Sequence, residues 1–414
     1  MSLANPETSA ALSLLNAKAV RERAHRMLAI GLEDKLPNFR IHLDRMDSAV
    51  DLVLETTRKA YPSLEVPFHS RWRHFVTNND NRWADVADQT QWPDPAARAR
   101  AGFDLAIVSV FLDAGAGPSW RYHDPKTGLA IGRSEGLGLA SLAMFESGAF
   151  SANPLEPLRV DADVLANLCV ADLERGLQVS DANPLVGLEG RADLLRRLGA
   201  LVTSKPDVFG RFDTPRPGGL FDRLALLADN LQLPAPTILS ELLQQLGAIW
   251  PSRLTLGGVA LGDCWKHPAL TTEDATSGLM PLHKLSQWLA YSLIEPLQTA
   301  GIRVTDIDGL TGLAEYRNGG LFVDGGVLAF RDAEDARREH EVASSLVVEW
   351  RALTVALLDR VADGMRRRLG LDATSLPLAK ILEGGTWAAG RSLARERRPD
   401  ASPPVKVTSD GTVF

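Results

Sequence analysis

Residues 333–370 read AEDARREHEVASSLVVEWRALTVALLDRVADGMRRRLG, and their spacing decides the fold class. Val342, Leu346, Trp350, Leu353, Leu357, Val361 and Met365 recur every three or four positions, which draws one unbroken apolar stripe on a helix over about 333–369. Asp332, Glu334 and Asp335 precede it, Arg366, Arg367 and Arg368 close it, and Gly370 follows. The charges complement the helix dipole and the glycine stops the helix. The same period predicts helices over about 10–30, 41–61, 96–113, 134–148 and 281–298, whereas strand-like alternation is scarce. The expectation is a mainly α protein with one small β-hairpin over 321–330 (LFVDGGVLAF), turning at Asp324-Gly325.

The chain has 414 residues, long enough for two or three lobes. The reading is a single two-lobed helical domain over 1–390, one lobe roughly 1–115 plus the C-terminal helices and the other 116–330. A basic, proline-bearing tail over 391–414 ends in apolar Val413-Phe414, which would let it pack on the body. With 45 basic against 52 acidic side chains the net charge is -7, so the bulk electrostatics do not favour a nucleic-acid partner. No run of about 18 apolar residues and no signal-peptide pattern occur, which reads as no membrane partner and a cytoplasmic protein. Cys169 and Cys264 are far apart and outside any C-x-x-C spacing, fitting a reducing compartment and small buried side chains.

Phosphate-loop, dinucleotide, H-E-x-x-H and nucleophile-elbow motifs are missing, and the histidines lie outside ligand spacing, so neither a cofactor nor a metal is expected. Carboxylate chemistry remains. Asp263 sits in GDCWKHP, where Gly262, Trp265 and Pro268 suggest a fixed turn. Asp306, Asp308 and Glu315 are further candidates, with Lys284 and Arg317 as positive partners; Asp308 alternatively caps a helix before GLTGLAEYR, and Glu315 and Arg317 alternatively form a structural ion pair. Lys284, Gln287 and Tyr291 share a polar face beside the 281–298 leucine stripe. Carboxylates of this kind suit reactions that develop positive charge on a sugar.

The segments HFVTNNDNRW (74–83), GRSEGLGLASLAMFESGAFSANPLEP (132–157), GDCWKHP (262–268), MPLHKLSQWLAYSL (280–293), LTGLAEYRNGGLF (310–322), LEGGTWAAGR (382–391) and SDGTVF (409–414) together resemble the URC-type uracil-catabolism proteins, the Urg3-like family of the fourth URC product. The resemblance covers essentially the whole chain and implies a place in pyrimidine degradation, where ribosylurea-type intermediates are cut to release urea. A fainter likeness links KLSQWLAYSL, DIDGLTGLAEYR and EHEVASSLVVEWRALTV to the queuosine salvage N-glycosidases. It implies a body resembling helical DNA-glycosylase-like folds. In this chain His283 and Leu285 stand where that family has Tyr and Arg around Lys284, and Asn318-Gly319 replace an Ile/Val-Pro pair.

The expectation from both resemblances is a hydrolase, a ribosyl N-glycosidase acting on ribosylurea or its 5'-phosphate. Asp263 is its first catalytic candidate, with Glu315 and Asp308 beside it. Trp83 and Trp265 are expected as apolar walls, Arg82, Arg133, Lys284 and Arg317 as hydroxyl or phosphate contacts, and Asn79, Glu135, Gln287 and Tyr316 as further substrate contacts. The alternatives are a non-catalytic metabolite-binding or assembly partner of the ring-opening enzyme, and a ureido amidohydrolase.

Overall fold

A computed structural model of the chain describes residues 5–113, 115–212, 214–250 and 254–408. It is mainly helical, and every sheet among the described residues has only two strands. The chain divides into two units. The first comprises Met1–His69, Pro251–Trp288 and Asp306–Phe414, the second Ser70–Trp250 and Leu289–Thr305. The chain leaves the first unit after His69 and returns to it at 251 and 306, whereas the lobe boundary expected from the sequence is at 115/116.

The helix Ser345–Leu369 forms the core of the first unit, packed against Ala17–Leu32, Met46–Ala60 and Tyr316–Asp324. Val348, Leu353, Leu357 and Val361 on it are completely buried, each contributing roughly 1.5–3 kcal/mol. It begins twelve residues later than its charge pattern predicts, because the Ser344 hydroxyl caps it by accepting the Val347 N–H at 3.3 Å. The residues before that cap are used otherwise: Glu339–Glu341 pairs in parallel with Lys406–Thr408. The tail therefore returns to its own unit as far as it is described, and Val413-Phe414 lie outside the described residues. Gly370, at φ +65°, ends the helix as expected.

The expected hairpin over 321–330 is corrected. Residues Tyr316–Asp324 are helical, capped by Glu315, and Leu328–Phe330 pairs instead with Phe39–Ile41. Two glycines let this helix be approached closely. A methyl group on Gly319 would stand 2.5 Å from the Trp350 ring, and one on Gly390 would collide with the Arg317 carbonyl. Trp387–Arg397 thus lies directly against Tyr316–Asp324.

In the second unit the helix Pro95–Phe111, buried continuously from Ala101 on, packs on Arg133–Glu146, Leu188–Ser204 and Leu220–Leu227. Its buried Asp104 is paired with Arg216 at 2.5 Å and also takes the Val160 N–H at 2.9 Å. Both protons and charge are therefore accounted for inside an apolar core. Cys264 is buried as expected, while Cys169 is exposed because it precedes the short surface helix Val170–Gly176. No helix of the described residues is long and apolar enough to cross a membrane.

Candidate active site

The Asp263 turn is fixed, as its glycine and tryptophan suggest. Gly262 takes φ +59°, Cys264–Lys266 pairs antiparallel with Leu279–Pro281, and the Asp263 carbonyl accepts the N–H groups of Leu282 at 2.9 Å and His283 at 3.1 Å. The chain then enters the helix Lys284–Thr299. The carboxylate accepts four bonds: Trp265 Nε1 at 2.6 Å and Arg351 at 2.8 Å on Oδ1, then the Lys284 backbone N–H at 2.9 Å and Arg351 at 2.8 Å on Oδ2. Burial alone would raise its pKa, but the Arg351 guanidinium, Trp265 and the helix N–H outweigh that and hold Asp263 well below the usual carboxylate range. Arg351 also donates to the Ala314 carbonyl at 3.2 Å. One guanidinium therefore ties the Asp263 turn to the residue before Glu315.

Glu315 has the opposite environment. It is 7% exposed, and its carboxylate caps the helix Tyr316–Asp324 by accepting the N–H groups of Arg317 at 2.8 Å and Asn318. Burial pushes its pKa up, and this outweighs the two backbone N–H groups and the nearby charges of Lys284 and His69. Lys284 therefore acts on both carboxylates, through its backbone on Asp263 and through its ammonium on Glu315.

A histidine and a second glutamate complete the cluster within this unit. His69 Nδ1 lies 2.8 Å from Glu383 Oε2, the Tyr61 hydroxyl reaches Glu383 Oε1 at 3.3 Å, and the His69 and Trp288 rings are 6.4 Å apart. Glu383 stands on a π-helical turn, Leu382–Thr386, inside LEGGTWAAGR. Such turns interrupt the regular helix and often mark functional positions.

The other sequence candidates are distributed as follows. Asp308 caps nothing before GLTGLAEYR; it pairs with Arg366 and accepts the Leu378 N–H at 2.6 Å. Gln287 is buried, with its amide engaged at both ends by Thr311, where it accepts the N–H at 3.1 Å. Trp265 is buried and is a hydrogen-bond donor to Asp263. The Arg317 guanidinium donates to the Ala401 carbonyl at 2.8 Å and stacks 5.0 Å from the Tyr316 ring centroid, so Glu315 meets Arg317 through its backbone and not as an ion pair.

In the second unit Arg82 is paired with Asp124 and nearly buried. Asn79, at φ +67°, turns the chain between Val76–Thr77 and Asp80–Asn81. Arg133 opens the helix Arg133–Glu146, and Glu135 on it contributes its charge to buried Arg71. Trp83 lies 5.7 Å from Trp72 and borders a cavity of ≈ 110 Å³ with Trp72, Asn81, Arg98, Glu295 and Thr299.

Arg351, His69, Glu383 and Tyr61 went unassigned in the sequence. Arg351 carried a usable signal, a cation inside the apolar run VVEWRALTV, where a buried charge requires a partner. His69 and Glu383 carried none, being 314 positions apart.

Residues 13–414 match the family model described as "Protein of unknown function (DUF1688)". The chain is 39% identical over 415 residues to "Protein urg3" of Schizosaccharomyces pombe, covering 98% of this chain and 100% of that protein. It is 36% identical over 409 residues to "Uracil catabolism protein 4" of Lachancea kluyveri, covering 91% of this chain and 92% of that one.

Proposed function

The chain belongs to this family, whose description leaves its function open, and from that membership and the geometry of the first unit we propose that it acts in pyrimidine breakdown as a ribosyl N-glycosidase. Its substrate would be ribosylurea or the 5'-phosphate, and its products urea and the ribose moiety. The pathway is supported by the name of the relative "Uracil catabolism protein 4". The reaction is supported by one observation: Glu315 is a buried carboxyl at a helix N-terminus, with Lys284 and His69 as its cationic neighbours.

Cleaving a C1–N bond builds positive charge on C1 and the ring oxygen of the sugar. An ionised Glu315, poorly solvated and close to that charge, stabilises it more than water does and accepts the proton of the water that adds to C1. The Lys284 charge favours the ionised form of Glu315, against the burial that disfavours it. Asp263 has the complementary task. With every acceptor position engaged it does not need to take a proton; it holds the first turn of Lys284–Thr299 and, through Arg351, the approach to Glu315. A single aligned charge of this kind is worth about 3–4 kcal/mol of barrier, roughly two to three orders of magnitude in rate.

The test is incubation of the purified protein with ribosylurea and with its 5'-phosphate, following urea, free ribose and ammonia together. Equimolar urea and ribose moiety from either substrate is the expected result. Ammonia released with the ribosyl bond intact overturns the reading in favour of an amidohydrolase, and binding without turnover overturns it in favour of a metabolite-binding protein.

A further inference from the structure

The glycosidase reading leaves one chemical requirement unmet: a ureido nitrogen departs poorly as an anion and needs a proton as the bond breaks. The His69 and Glu383 pair supplies the parts. His69 is held at both ends, its backbone N–H by the Ala379 carbonyl at 2.9 Å and its Nδ1 by Glu383 at 2.8 Å. Glu383 is itself steadied by the Tyr61 hydroxyl at 3.3 Å. A carboxylate on Nδ1 fixes the proton there and leaves Nε2 as the working nitrogen. No protein group among the described residues binds Nε2, and the side chain keeps 16% of its surface exposed, so a ligand can reach it. His69 also acts electrostatically on Glu315, which puts both groups in one neighbourhood of the first unit.

Resting on the glycosidase reading, we propose that His69 is the general acid of the reaction and Glu383 its positioning residue. The His69 Nε2 proton passes to the ureido nitrogen attached to C1 while the C1–N bond breaks and its electron pair stays on that nitrogen. A water oxygen bonds to C1 and gives its proton to Glu315. Proton return from Glu315 to His69 through solvent closes the cycle, with one water consumed and one urea and one ribose moiety formed. The π-turn has a purpose in this account: it places Glu383 off the regular helical spacing, opposite His69.

His69→Ala and the size-conserving His69→Gln are compared with the native protein on ribosylurea and on 4-nitrophenyl riboside, whose phenolate leaves without a proton. The expected loss in kcat on ribosylurea is about 10²–10⁴-fold, with KM little changed, and on the nitrophenyl riboside it is below tenfold. Added imidazole restores part of the ribosylurea activity of His69→Ala, an effect that a structural histidine would not give. Glu383→Gln lowers kcat in the same substrate-selective way. Equal losses on both substrates with no imidazole rescue, or undiminished ribosylurea turnover in both His69 variants, overturn the acid role alone. Absence of turnover by the native protein on ribosylurea, its 5'-phosphate and the nitrophenyl riboside alike overturns the glycosidase reading and this proposal with it. If only ribosylurea is accepted, imidazole rescue decides.

Discussion

Two carboxylates of the first unit lie either side of Lys284, and their surroundings differ in sign. The Asp263 region is a saturated ion pair: four donors, two of them from the fully buried Arg351, keep it charged. The Glu315 region gives its carboxylate two backbone donors and a buried position, and burial prevails. Environments that push two carboxyl groups apart assign them different work. On the proposed reading the first is an anchor, and the second is the group that changes protonation state.

Breaking the anchor should have the largest effect. Arg351→Ala leaves Asp263, whose side chain is only 17% exposed, without its cation, and about 3–5 kcal/mol of stability is expected to be lost, read as a fall in denaturation midpoint. A much smaller fall would erase the distinction, because Asp263 would then be a surface-like charge.

Acid titration of stability sharpens it. The depressed pKa of Asp263 contributes stability that is present above the ordinary carboxylate pKa of about 4 and is lost only as pH falls through its lower folded value. The raised pKa of Glu315 works the other way: its protonated form contributes stability that is full below about 4.3 and lost as pH rises through the folded value. Melting curves from acid to neutral pH should therefore show the gap between native and Arg351→Ala protein closing at the acid end, and Glu315→Gln flattening the loss above the ordinary carboxylate range.

A smaller effect is expected from Lys284→Gln, which removes the ammonium facing Glu315 but keeps the backbone N–H on Asp263. Turnover should drop about tenfold and the acid limb of its pH profile should move up, with the midpoint of unfolding nearly unchanged. A loss of stability comparable to Arg351→Ala would show that the lysine side chain belongs to the anchor.

The helical class was legible because apolar residues at helical spacing need no tertiary knowledge, and so was the fixed turn at Asp263, announced by Gly262 and Trp265. The start of Ser345–Leu369 was not, since the acidic residues before it look like a first turn while Ser344 supplies the actual cap and Glu339–Glu341 finds a partner 67 positions on. The 321–330 segment misled through Asp324-Gly325, a turn signal that serves here as a helix end. The candidate site was half legible. Asp263, Lys284 and Glu315 lie on motifs that stand out in the sequence, but Arg351, His69 and Glu383 acquire meaning only through contacts across long sequence separations.

The most direct measurement is urea release and melting temperature on one preparation of Glu315→Gln beside the native protein. The account predicts a fall in turnover of about two to three orders of magnitude with a melting temperature no lower than native. Full turnover, or a collapse of stability together with activity, would contradict it.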